Sequence, residues 1–101
     1  MEEITLLVTY VAKPGRRETF LRALAARGIP EAVRAEKGCL QYDYYLSLQN
    51  GDEILLVERW RSEDDQRAHA RQPHMAALRE LKERDIERTE IRKLQEAEHA
   101  V

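Results

Sequence analysis

A chain of 101 residues with 43% apolar and 36% charged residues has material for one hydrophobic core, and its apolar residues fall in short periodic runs bounded by charge, unlike a disordered chain. Its 17 basic and 19 acidic residues are interspersed, giving a net charge of -2 with no basic block of the kind nucleic-acid binders use, and no run approaches the ~20 apolar residues that cross a bilayer. One cysteine, Cys39, excludes an intrachain disulfide or a cysteine zinc cluster, and the acidic start Met1-Glu2-Glu3 is unlike a secretion signal, so a cytoplasmic domain is expected.

Residues 4–12 are free of charge and rich in β-branched and aromatic types, which predicts a strand covered on both faces. Ile4, Leu6, Val8 and Tyr10 share one face, and Thr5, Leu7, Thr9 and Val11 the other. Lys13-Pro14-Gly15 reads as a turn, and from Arg16 onward Phe20, Leu21 and Leu24 recur at helical spacing. Gly28-Ile29-Pro30 interrupts that helix, because glycine is a weak helix former and proline lacks the amide. Pro30 suits the first turn of a second short helix, reaching Glu36 and ended by Lys37-Gly38.

Residues 39–48 alternate as a strand, with Leu40, Tyr42, Tyr44 and Leu46 expected on the core face and Cys39, Gln41, Asp43 and Tyr45 opposite. Asn50-Gly51 is a hairpin signal, and residues 53–61 return as the third strand. Ser62 followed by Asp65 resembles a helix N-cap with an acidic first turn, predicting a helix from about 63 to 70. Pro73 restarts a helix that carries Met75, Ala76, Leu78 and Leu81 as a stripe. Residues 85–95, with Ile86, Thr89, Ile91 and Leu94, are the candidate last strand of a single domain over residues 1–95, and residues 96–101 form a tail.

The order β-α-β-β-α-β is the ferredoxin-like α+β arrangement, an antiparallel sheet with its helices on one face. The other face would then hold Thr5, Leu7, Thr9, Tyr45, Leu55 and Val57, too apolar to leave wet. A second copy packed sheet to sheet would cover it, so a homodimer is expected.

Trp60, His69 and His74 lie within fifteen positions of one another. A helix starting at Ser62 must fold back over the sheet, which brings His69 toward the Trp60 end of its strand, where an imidazole can accept or donate a proton. The plainer reading is a histidine that fills space and a tryptophan that anchors the core. His69 and His74 are five apart with Pro73 between them, so the facing of a helical metal pair does not apply. Glu58 or Asp43 could add a third ligand, but nothing in the spacing demands it, and no metal site is expected. Tyr42 and Tyr44 either pack as ordinary aromatics or place hydroxyls beside His69. Cys39 has no nearby base that would make it a nucleophile.

The runs Val11-Ala12-Lys13-Pro14-Gly15-Arg16, Glu36-Lys37-Gly38-Cys39-Leu40-Gln41-Tyr42, Glu58-Arg59-Trp60 and His69 to His74 together resemble the antibiotic biosynthesis monooxygenase family. The resemblance implies a dimeric α+β barrel and an oxygenase without metal, flavin or haem, acting with dioxygen on phenolic, quinol or polyketide-like enolic molecules. A base would deprotonate the substrate, which itself supplies the electrons. His69 is then the first candidate for the proton and His74 the second, with Trp60, Tyr44, Tyr42, Leu56, Glu58 and Val8 facing the substrate. Where the family's polyketide oxygenases use an Asn, Trp and Tyr set, only Trp60 corresponds, and Leu56 stands four positions before it. The family also includes an isomerase of a small phosphorylated dicarbonyl, whose acid–base chemistry paired histidines would fit. A non-catalytic small-molecule-binding dimer is the third alternative.

Overall fold

In the computed structural model, which describes residues 2–94, the elements run β1 (Ile4–Ala12), α1 (Arg17–Ala26), α2 (Ile29–Arg34), β2 (Cys39–Leu46), β3 (Glu53–Trp60), α3 (Glu63–Ala70), α4 (His74–Asp85) and β4 (Ile86–Leu94). The tail expected at 96–101 lies outside the described residues. The strands form one antiparallel sheet in the order β2-β3-β1-β4, the ferredoxin-like α+β topology. Each helical segment of that order is a pair of helices, divided where Gly28-Pro30 and Pro73 predict. Gly28 in the left-handed conformation and Pro30 in the first turn separate α1 from α2, and the corner at Pro73 separates α3 from α4.

Strand β1 is central, flanked by β3 and β4, and its strict alternation of buried and half-buried residues puts Ile4, Leu6, Val8, Tyr10 and Ala12 in the core and leaves the other face without the cover expected of it among the described residues. They pack with Ile54, Leu56 and Trp60 of β3 and with Phe20, Leu24, Ile29, Val33, Leu78 and Leu81 of the helices. Pairing stacks the helix-facing side chains in rungs: Cys39, Trp60 and Ile4; Tyr42, Glu58 and Leu6; Tyr44, Leu56 and Val8.

Strand β2 departs from simple alternation. Cys39 pairs with Trp60 while Gln41 pairs with Arg59, so Leu40 is the extra residue of a bulge. It is exposed instead of facing the core, and Cys39 packs against the core in its place. Leu46, at the open end of an edge strand, is also exposed, as is Ala76, which the turn of α4 carries off the Leu78–Leu81 stripe. Strand β4 forms as expected, but most of it is exposed because it is the opposite edge.

Among the described residues no element packs on the sheet's second face. Thr5, Leu7, Thr9, Val11, Leu55 and Val57 lie there half-buried, with Tyr45 exposed. At the junction of α4 and β4, the fully buried Asp85 carboxylate takes Arg16 Nη2 at 2.8 Å and Arg84 Nη2 at 2.7 Å, while its carbonyl accepts from the Lys13 amide at 2.8 Å. These contacts tie the β1–α1 turn to the last strand. Hydrogen bonds from Arg84 and Arg16 hold the Asp85 carboxyl below the usual carboxylate range. Among the described residues no helix is long and apolar enough to cross a membrane.

Candidate active site

Apart from Asp85, the buried polar residues Glu58, Ser62, Asp65 and His69 gather beneath the α3–α4 corner. Helix α3 begins there because Ser62 Oγ accepts the Asp65 amide at 3.2 Å and Glu63, Asp64 and Asp65 favour the positive end of the helix dipole. Asp65 and His69, four apart, share its buried face. The chain then turns, with the Gln72 amide on the His69 carbonyl at 3.1 Å and the Met75 amide on the Gln72 carbonyl at 3.0 Å, and His74 opens α4. The two histidines thus approach each other from different helices.

Glu36 meets them from the loop between α2 and β2. Its carboxylate lies 3.0 Å from His69 Nδ1 and 2.6 Å from His74 Nε2. Glu36 is placed by Gly38, which adopts φ +81° and packs where any side chain would run into the Asp65 carboxylate. The Gly38 carbonyl also accepts the Arg61 amide at 2.8 Å, joining this loop to the end of β3.

The other side of the His69 ring faces the sheet. Its centroid is 4.6 Å from that of Trp60 and 6.0 Å from that of Tyr42, and Nε2 is 3.9 Å from Glu58 Oε1. The Trp60 indole N–H donates to the same Glu58 oxygen at 3.0 Å, giving both buried groups a partner. The Tyr42 and Tyr44 hydroxyls are 3.3 Å apart, and their rings meet edge to face. His69, Trp60, Tyr42, Leu56, Glu58 and Val8 are buried; Tyr44 and His74 are partly so. The fold therefore brings all eight expected site residues onto the helix-covered side.

An ionised carboxylate only accepts hydrogen bonds, so the nitrogens that face Glu36 carry the hydrogens. For neutral His69 this puts the proton on Nδ1 and leaves Nε2 with its lone pair toward the interior, the tautomer of a general base. Burial pushes the Glu58 carboxyl up, opposed by the Trp60 hydrogen bond and by His69. Burial also pushes Tyr44 up to about 12, drives Tyr42 higher still, raises Tyr10 well above the ordinary phenol value and lowers Lys82, whose ammonium sits 5.0 Å over the Tyr10 ring. The tyrosines are hydrogen-bonding phenols in this interior, not phenolate bases.

Sequence reasoning missed Glu36 as a site residue and Lys82 as the interior's ammonium. Glu36 is 33 and 38 positions from its two partners, a separation no local spacing signals. A cleft of about 240 Å³ lies beside β2, lined by Arg34, Cys39, Leu40, Gln41, Tyr42 and Asp43; of the expected residues only Tyr42 borders it.

This α+β scaffold recurs among known proteins. Residues 3–81 match the antibiotic biosynthesis monooxygenase family, and the chain belongs to it. It is 33% identical over 98 residues to Rv0793 of Mycobacterium tuberculosis, covering 93% of this chain and 94% of that one. The solved structure of Rv0793 superposes with a TM-score of 0.83, covering 99% and 100% of the two chains at 27% identity. That of PA3566 from Pseudomonas aeruginosa gives 0.84 at 28% identity, with 97% of each chain covered.

Proposed function

We propose that this chain is a cytoplasmic, cofactor-independent monooxygenase acting on a phenolic, quinol or polyketide-like enolic molecule, and that it works as a homodimer joined through the open face of the sheet. The observation that carries the reading is the His69 ring: Nδ1 is held by Glu36 at 3.0 Å, which leaves Nε2 as the interior acceptor beside Trp60 and Glu58. Family membership supports the reaction class.

In this reading His69 Nε2 takes the proton of the substrate hydroxyl, and Glu36 stabilises the imidazolium that forms. The electron-rich anion reacts with dioxygen. One oxygen atom enters the ring carbon, and the other leaves as water after the proton returns, so that a phenol and dioxygen become a quinone and water. The substrate supplies every electron. Trp60, Tyr42, Tyr44, Leu56 and Val8 orient the ring and exclude water, Glu58 faces the same space, and His74 keeps Glu36 in position.

The test is dioxygen uptake by the purified protein with a quinol. Uptake above the rate without protein, lost in His69→Ala, is the expected result; equal rates with and without protein would end the oxygenase reading. Because two histidines on one carboxylate also suit acid–base enolisation, turnover of a dicarbonyl that persists under anaerobic conditions would point to isomerisation instead. For the dimer, sedimentation should give twice the 11.8 kDa chain mass, and a stable folded monomer at micromolar concentration would remove it.

A further inference from the structure

The two buried carboxylates have an unusual set of partners. Among the described residues Glu36 pairs only with His69 and His74, and Glu58 faces His69 and accepts from the Trp60 indole. Among the described residues no arginine or lysine pairs with Glu36, so the groups that face its carboxylate are the two imidazoles, a set of donors that a cation can share. Nδ1 of His69, Nε2 of His74 and a Glu36 oxygen all lie within 4.8 Å of one another, each offered by a different element of the fold.

We propose that Glu36, His69 and His74 bind a divalent transition-metal ion of the zinc class. Two imidazoles and one carboxylate are a donor set such ions take, and it leaves coordination positions open. Hard ions such as magnesium, which prefer all-oxygen shells, are disfavoured. Donors about 2.0–2.1 Å from a tetrahedral ion stand about 3.3 Å apart, so the present 3.0 Å from Glu36 to His69 must widen by about 0.3 Å and the 2.6 Å to His74 by about 0.7 Å. His74 supplies that freedom and a way in, because its side chain is 23% exposed while His69 and Glu36 are 5% and 7%. Glu58, facing the far nitrogen of His69 at 3.9 Å, stands where metal-bound histidines commonly find an orienting carboxylate.

A metal on Nδ1 leaves Nε2 as the only ring nitrogen able to hold the proton, so the metal-loaded form presents a donor to the interior in place of a base. Inhibition by the ion follows; that consequence rests on the reading of His69 given above, whereas binding itself does not.

The experiment titrates untagged, chelator-treated full-length protein with Zn²⁺ by calorimetry and with Co²⁺ by visible absorption. The emission of Trp60, the only tryptophan and 4.6 Å from the His69 ring, gives a third signal. The expected result is one ion per chain, with affinity reduced at least about tenfold in Glu36→Gln and in His74→Asn. Zn²⁺ should also raise the melting temperature of the wild type but of neither variant. His99→Ala controls for the third histidine. Absence of binding, undiminished affinity in both variants, or loss with His99→Ala alone would overturn the site. If Glu36→Gln fails to fold, His74→Asn at a partly exposed position decides the matter. Binding without oxygen uptake would leave the metal site standing and remove the oxygenase; uptake without binding would do the reverse.

Discussion

The chain buries carboxylates at opposite ends of α4, and their partners differ. Asp85, at the C-terminal end, meets two guanidinium groups that stay charged at any ordinary pH, and its carboxyl is held low. Glu36 and Glu58, near the N-terminal end, meet imidazoles and an indole, and the Glu58 carboxyl is pushed up by burial. A carboxylate locked to arginine joins elements together but is a poor proton carrier. One that faces histidine can change its charge balance by moving a proton, which is what acid–base chemistry needs. The same amino-acid class thus serves as a clasp at one end of the helix and as the candidate reaction centre at the other.

The largest effect separating the two ends should come from His69→Ala, which is expected to lower turnover about 10²- to 10⁴-fold in steady-state assays, while Asp85→Asn leaves kcat near wild type. Equal losses in both variants would erase the distinction. Trp60→Ala should next cost about 3–5 kcal/mol in denaturant unfolding, because Trp60 is fully buried and its indole is the hydrogen-bond donor to Glu58. Trp60→Phe keeps most of the ring and should cost less; a loss as large as that of Trp60→Ala would show that the hydrogen bond outweighs packing.

Gly38→Ala should destabilise by more than about 1 kcal/mol, since φ is +81° and the new methyl meets Asp65; the same displacement should move Glu36 and reduce turnover beyond the stability loss. The smallest effect concerns pH. Because the folded-state carboxyl of Asp85 is lowered, its stabilisation is present above the unfolded value of about 3.9 and is lost as pH falls through the folded value. Asp85→Asn should therefore melt lower at neutral pH and show a flatter acid limb in thermal unfolding. An unchanged acid limb would mean that other carboxylates dominate acid unfolding.

Local chemistry made the elements legible. The period-two run of β1, the Asn50-Gly51 turn and the Ser62 cap each act within a few residues, and each element forms as those signals predict. What failed locally was the β2 bulge, because the extra residue at Leu40 depends on how β2 meets Trp60 and Arg59 across the sheet. The expected site residues were readable as a side of the sheet plus a helix folded onto it, since strand alternation and the short α3 constrain both.

The sequence by itself determined the strand faces, the capped start of α3 and the concentration of Trp60, His69 and His74 near one end of the sheet, because period, caps and turns are short-range properties. Only the tertiary structure decided which groups those histidines face. Glu36 reaches His69 and His74 across 33 and 38 residues, and Glu58 faces His69 because β3 lies under α3. Proton position and metal affinity depend on distances of a few ångströms between such remote groups, and those distances exist only once the core has packed.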